Sequence, residues 1–225
     1  MKRFISLVLI LIIALSASLA ENYVPSPTVD SKFPNPYLVL VNKENKLPDN
    51  WLDMIILKPA KNFLGEDFLV EEVALEHFNA LRNELLDEGI QIELDSTYRS
   101  LEEQQEIWDE WLADPELGPE YCEKYLAKVG YSEHHTGLAI DVFIIKPDGY
   151  HERDNDEMIA DVKTFAIIHE KLARFGFILR YPEGKESITG YNYEPWHFRF
   201  VGEAIAKEIY EQNLTLEEYL EQNQK

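Results

Sequence analysis

Asp141 lies inside the apolar run Leu138-Ala139-Ile140-Asp141-Val142-Phe143-Ile144-Ile145. A carboxylate in such a buried strand costs on the order of several kcal/mol to desolvate unless a cation or several donors meet it. A structural salt bridge and a metal site both satisfy that need. Just upstream, Ser132-Glu133-His134-His135-Thr136-Gly137 places two histidines in a loop leading into the same strand, so one histidine and the aspartate can converge on one ion. Adjacent histidines do not readily face one site, and the residues alone leave open which of the two would serve. A third segment, Tyr193-Glu194-Pro195-Trp196-His197-Phe198-Arg199, spaces a glutamate and a histidine as in half of a helical metalloprotease motif. Pro195 argues against a helix interior, and on a straight strand the two side chains would point to opposite faces, so a bend at Pro195-Trp196 is expected. Two histidines and an aspartate as ligands, with a free glutamate beside them, match the needs of a catalytic zinc: three protein ligands, one open position for water, and a base.

Nucleophile schemes fare worse. The nearest approach to a serine-hydrolase elbow, Gly130-Tyr131-Ser132-Glu133-His134, lacks the second glycine, and no serine is followed three residues later by lysine. Cys122, the single cysteine, is read as a packed small residue, with no partner for an internal disulfide.

These residues need elements to hold them. Ile90, Ile92 and Leu94 alternate with Gln91, Glu93 and Asp95, which predicts a half-buried strand ending at Ser96-Thr97-Tyr98-Arg99. Ser100 with Glu103 fits a capping box opening a helix through Trp111, so Arg99 sits at a strand-to-helix junction. Further strands are predicted at Tyr37–Val41, Leu138–Ile145, Phe177–Arg180 and His197–Val201. Helices are predicted over Phe68–Leu86, with Gly89 near its end, and over Glu157–Phe175, closed by Gly176. Two more follow at Gly202–Gln212 and after Thr215, with Glu218 completing a cap. The pattern is α+β: a single domain with helices packed around a small, largely antiparallel sheet.

At the same residues the sequence closely resembles the VanY-type D-alanyl-D-alanine carboxypeptidases, in the zinc peptidase family that also includes VanX-type dipeptidases and cell-wall L,D-carboxypeptidases. The motifs are Leu40-Val41-Asn42-Lys43, Tyr98-Arg99-Ser100 with Gln104, Ser132-Glu133-His134 through Gly137-Leu138-Ala139-Ile140-Asp141, Arg180-Tyr181-Pro182 and Glu194-Pro195-Trp196-His197, spread over roughly residues 37–220. The resemblance implies that His134, Asp141 and His197 hold one Zn2+ and that Glu194 is the catalytic base, with His135 at a non-ligand position. It also implies that Arg99 acts near the scissile carbonyl and that Arg99, Gln104 and Ser132 bind substrate. The implied activity is removal of the C-terminal D-alanine from peptidoglycan stem peptides. An L,D-carboxypeptidase on tetrapeptides, a cross-link endopeptidase and an inactive wall-binding module are the alternatives.

Composition sets the surroundings. With 225 residues, 45% hydrophobic and 12% aromatic, the chain fills one sizeable core. A net charge of −21 repels polyanions and excludes nucleic acid as a natural partner. Lys2 and Arg3 precede an apolar run from Phe4 to Leu15, followed by Ser18-Leu19-Ala20, which reads as a signal peptide over residues 1–20. A proline-rich linker over 21–36 and a catalytic domain over 37–225 complete the expected organisation. The expectation is an exported monomer, extracellular or associated with the cell envelope, with an apolar run retained as a membrane anchor as the alternative to a signal peptide.

Overall fold

A computed structural model describes residues 35–115 and 117–223, which belong to one compact unit. The expected signal peptide and all but the end of the linker lie outside the described residues. The described chain opens with a 3-10 turn at Pro36–Leu38, where the Asn35 side chain accepts from the Tyr37 N–H, and not with the strand expected over Tyr37–Val41. The carbonyls of Tyr37 and Val39 go to the guanidinium of Arg199 instead of a strand neighbour. A second 3-10 turn at Trp51–Asp53 precedes a hairpin of β1 (Leu57–Lys61) and β2 (Asp67–Glu71), paired antiparallel. The helix expected from Phe68 begins only at Glu72, as α1 (Glu72–Asp87). The Glu71 carboxylate accepts from the N–H groups of Val73 and Ala74, so the helix starts there and the preceding residues are free to pair with β1.

Next come β3 (Gln91–Ser96), α2 (Leu101–Ala113), α3 (Gly118–Tyr125), β4 (Ala139–Ile145) and the short β5 (His151–Glu152). The capping box expected at Ser100 and Glu103 is present. One helix expected over Glu157–Phe175 is in fact two, α4 (Asn155–Ala160) and α5 (Val162–Leu172), followed by a 3-10 turn at Ala173–Phe175. The break is at Asp161, at φ −82° and ψ 53°, whose carboxylate leaves the helix pattern to cap Thr164 and pair with Lys146. The chain ends with β6 (Phe177–Leu179), α6 (Glu186–Thr189), β7 (His197–Phe200), α7 (Glu203–Gln212) and α8 (Leu216–Asn223). Thr215 and Glu218 exchange the two hydrogen bonds expected ahead of the last helix.

The second sheet runs β3-β4-β7-β6, with β5 on β4, and every pair is antiparallel. Alternation along its strands separates two jobs. Ile92 and Leu94, Ile140, Val142 and Ile144, and Phe198 and Phe200 belong to a core shared with Phe78, Leu81 and Leu85 of α1 and Phe165 and Ile168 of α5. The intervening Asp141, His197 and Arg199 are thereby directed to the other face. This is the α+β architecture expected from the sequence, with helices around a small antiparallel sheet.

Gly176 turns the chain from α5 into β6 at φ +75°. A Cβ there would lie 2.7 Å from the Phe200 ring and 3.1 Å from the backbone of Gly202 and Glu203. Left-handed strain and overpacking add, so Gly176→Ala should destabilise the fold by roughly 2–4 kcal/mol in denaturant titration. A loss below roughly 0.5 kcal/mol, within the range of ordinary surface substitutions, would contradict this reading of the turn.

Candidate active site

Register brings the site together. Asp141 of β4 pairs with His197 of β7 on one side and with Ser96 of β3 on the other, beside a register shift between Leu94 and Ser96. The loop before β4 folds into a 3-10 turn at Glu133–Thr136, closed by Gly137 at φ +70°, and delivers His134 over the same strand end. Trp51 fastens this turn from outside by donating to the Thr136 carbonyl at 3.0 Å. The expected bend is present: Pro195 and Trp196 form a turn in which the His197 N–H donates to the Glu194 carbonyl at 3.2 Å. Glu194 and His197 consequently face one space.

His134 Nδ1 lies 2.7 Å from the carbonyl of Thr97, which can only accept, so Nδ1 carries the hydrogen and Nε2 presents its lone pair. That Nε2 lies 3.1 Å from Asp141 Oδ2, while His197 Nδ1 lies 2.9 Å from Asp141 Oδ1. The three donor atoms all fall within 4.8 Å of one another. Ligands about 2.0–2.2 Å from a tetrahedral zinc stand about 3.3 Å apart, near the 3.1 and 2.9 Å at which the two histidines approach the Asp141 oxygens. Apart from His197 Nδ1 at 2.9 Å, the buried Asp141 Oδ1 has no hydrogen-bond partner, which leaves an oxygen whose need a cation would meet. The set therefore fits a divalent ion of zinc's size and ligand preference.

His135 turns away. Its Nδ1 is 2.7 Å from the Arg99 carbonyl and its Nε2 accepts from the Gly130 N–H at 3.1 Å, so it ties the loop to the β3–α2 junction. Arg99 donates to Gln104 Oε1 at 2.9 Å and to Ser96 Oγ at 2.8 Å. Gln104 is fully buried, donates its own amide to the Ala127 carbonyl, and stands behind Arg99 outside the cavity lining. Ser132 lines the cavity, as do Arg99, Glu194 and the three prospective ligands. The cavity holds about 420 Å³ and continues from this polar end to an apolar wall of Ile107, Trp111, Tyr125 and Met158.

Electrostatics separate the carboxylates. Burial raises the Asp141 carboxyl, but the two histidines beside it outweigh that and hold its pKa well below the usual carboxylate range. Burial pushes Glu194 up to about 8, with His197 and Arg99 opposing the rise and Asp141 and Glu133 adding to it. Glu194 Oε2 stands 3.7 Å from His197 Nδ1, close to the prospective ion position without joining the three donors. Burial lowers His197, yet Asp141, with Glu133 and Glu194 behind it, holds the ring at about 10.

That last value has a measurable consequence. A metal must displace the proton from His197 Nδ1, so zinc uptake by the metal-free protein should release protons and apparent affinity should rise as pH rises from about 6 to 8, by up to about tenfold per unit. Calorimetric titration in two buffers of different ionisation enthalpy measures this. Affinity independent of pH over that range would contradict it.

Three residues to which the sequence alone assigns no role, Glu133, Arg180 and Arg199, complete the surroundings. Glu133 is 2% exposed, and its Oε1 receives Arg180 Nε and Arg199 Nη1, both at 2.7 Å. Its Oε2 faces His197 Nε2 at 3.6 Å.

Residues 67–203 match the family described as VanY: D-alanyl-D-alanine carboxypeptidase. Over 188 residues the chain is 37% identical to the bifunctional D-Ala-D-Ala dipeptidase and D-Ala-D-Ala carboxypeptidase VanXYC of Enterococcus gallinarum, covering 81% of this chain and 92% of that one. It is 36% identical over 190 residues to a D-alanyl-D-alanine carboxypeptidase of Enterococcus faecalis, covering 81% of this chain and 65% of the relative's length. A solved structure of a variant of the vancomycin resistance D,D-pentapeptidase VanY in complex with Zn(II) is 34% identical, with a TM-score of 0.66 over 82% of this chain and 99% of that one.

Proposed function

Because the chain belongs to the VanY family of D-alanyl-D-alanine carboxypeptidases, we propose that it is a zinc peptidase that removes the C-terminal D-alanine from peptidoglycan stem peptides. The observation that carries this reading is the convergence of His134 Nε2, Asp141 and His197 Nδ1 beside a buried fourth carboxylate, Glu194, at the polar end of a peptide-sized cavity. One zinc held by the three ligands would act as a Lewis acid on carbonyl and water oxygens. Glu194, kept ionised once the charge of a bound zinc offsets its burial, would take the proton of the attacking water and return it to the departing D-alanine amine. Arg99, braced by Gln104 and Ser96, donates to the carbonyl oxygen as negative charge develops there. Gln104 on this reading serves substrate through Arg99, while Ser132 reaches it from the cavity wall.

Export belongs to the same proposal. It is supported by Lys2-Arg3, the apolar run and Ser18-Leu19-Ala20, and by the location of peptidoglycan itself. Mass spectrometry of pentapeptides ending in D-alanine, L-alanine or an amidated D-alanine tests the substrate. Cleavage confined to the free D-alanine terminus is expected. Equal cleavage of all three would overturn the assignment, and preference for a tetrapeptide over the pentapeptide would make the enzyme an L,D-carboxypeptidase.

A further inference from the structure

We infer that Glu133 is a positioning residue that selects the tautomer of His197 able to bind zinc through Nδ1. This inference rests on the zinc reading above and adds to it a carboxylate outside the three ligands.

An imidazole that gives one nitrogen to a metal keeps its single hydrogen on the other. His197 has Nδ1 on the Asp141 side and Nε2 on the Glu133 side. If the hydrogen sat on Nδ1, it would occupy the ligand position. Glu133 Oε2 and His197 Nε2 are both buried, face each other at 3.6 Å and have no other hydrogen-bond partner. A hydrogen on Nε2 thus meets an anionic acceptor, and a lone pair on Nε2 would meet the same anion unfavourably.

The acceptor is held rigidly. Arg180 Nε and Arg199 Nη1 both donate to Oε1, which leaves Oε2 for the histidine. Arg180 forks onward to Glu217 of α8 at 2.6 and 2.9 Å, and Arg199 donates to the carbonyls of Tyr37, Val39 and Phe200. Both guanidinium groups are fully buried, so neither can swing to release the carboxylate without unpairing a charge. The C-terminal helix and the first described turn are in this way joined to a zinc ligand.

Glu133→Gln makes a sharp test, because it preserves shape. The arginines, which only donate, claim the amide oxygen, and the NH2 group then faces His197 Nε2. That arrangement asks Nε2 to accept and sends the hydrogen to Nδ1. Zinc affinity, measured without substrate by competition with a chromophoric chelator, should fall 10- to 100-fold. At saturating zinc, turnover should return to within about threefold of wild type. Glu217→Gln, which removes the other carboxylate that Arg180 grips, should lower the melting temperature of the metal-free protein while changing zinc affinity less than about threefold. If Glu133→Gln does not fold, Glu133→Asp, which keeps the anion for the arginines but retracts it from His197, should show the same loss of affinity. Wild-type zinc affinity in the Glu133 variant, or an equal loss in Glu217→Gln, would overturn the inference. Neither result would touch the peptidase assignment, which is read by product analysis.

Discussion

Glu194→Ala is expected to keep near-stoichiometric zinc and still bind peptide, yet lose at least 10²-fold in turnover, the contribution typical of a positioned general base. The argument is geometric first. Glu194 is placed by the Pro195-Trp196 turn, its N–H donates to the Tyr181 carbonyl at 3.2 Å, and its carboxylate stays at 3.7 Å from His197 Nδ1 while the three donors close on one another. The carboxyl's environment supports the role, since burial holds its proton affinity high in the metal-free protein and the charge of a bound zinc would lower it, so that a proton could be both taken and returned there near neutral pH. Removing it deletes no ligand. Wild-type turnover in the variant, or zinc loss as ready as in a ligand variant, would show that Glu194 is not the free base.

His197→Ala should fail differently, by losing the metal itself. The substitution removes one of three donors and also one of the two histidines that, with His134, hold Asp141 ionised in a buried position. Ligand binding adds stability in proportion to the logarithm of its excess over Kd, about 2.7 kcal/mol at a hundredfold excess, and this variant forfeits that term. In zinc-containing buffer it should therefore melt below Glu194→Ala, carry sub-stoichiometric zinc by elemental analysis and have no measurable turnover. Equal melting temperatures for the two variants, with full zinc in both, would contradict the ligand assignment.

Much of this arrangement is legible in the sequence, for identifiable reasons. Strands β3, β4 and β7 carry their own signal, because alternation or an unbroken apolar run is dictated by what each face touches, and Asp141 stands out against such a run. The need for a bend at Pro195 follows from strand periodicity alone. Other features depend on partners distant in sequence. Pro59 hides β1 from the sequence pattern, and only pairing with β2 makes it part of an edge strand. The start of α1 is fixed by the Glu71 cap, which apolar spacing does not register. The family resemblance implies a substrate role for Gln104, but a motif match does not reveal that Arg99 stands between it and the cavity. The cluster of Glu133, Arg180 and Arg199 joins residues up to 66 positions apart, and each member alone resembles a solvated charge. A signal was nonetheless present: Arg180 follows Phe177-Ile178-Leu179, and Arg199 lies between Phe198 and Phe200, so each is a charge within an apolar strand and raises the same question as Asp141.

The central claim, zinc-dependent removal of a terminal D-alanine, is tested most directly by one experiment on the purified protein. A peptidoglycan pentapeptide ending in D-alanyl-D-alanine is incubated with protein stripped by a chelator, then with the same sample after one equivalent of zinc is restored, and free D-alanine is quantified. The account predicts no release above background from the stripped protein and stoichiometric conversion of pentapeptide to tetrapeptide plus D-alanine after zinc is returned. Full activity in a sample shown by elemental analysis to hold no metal, or no D-alanine from a sample loaded with one zinc, would contradict it.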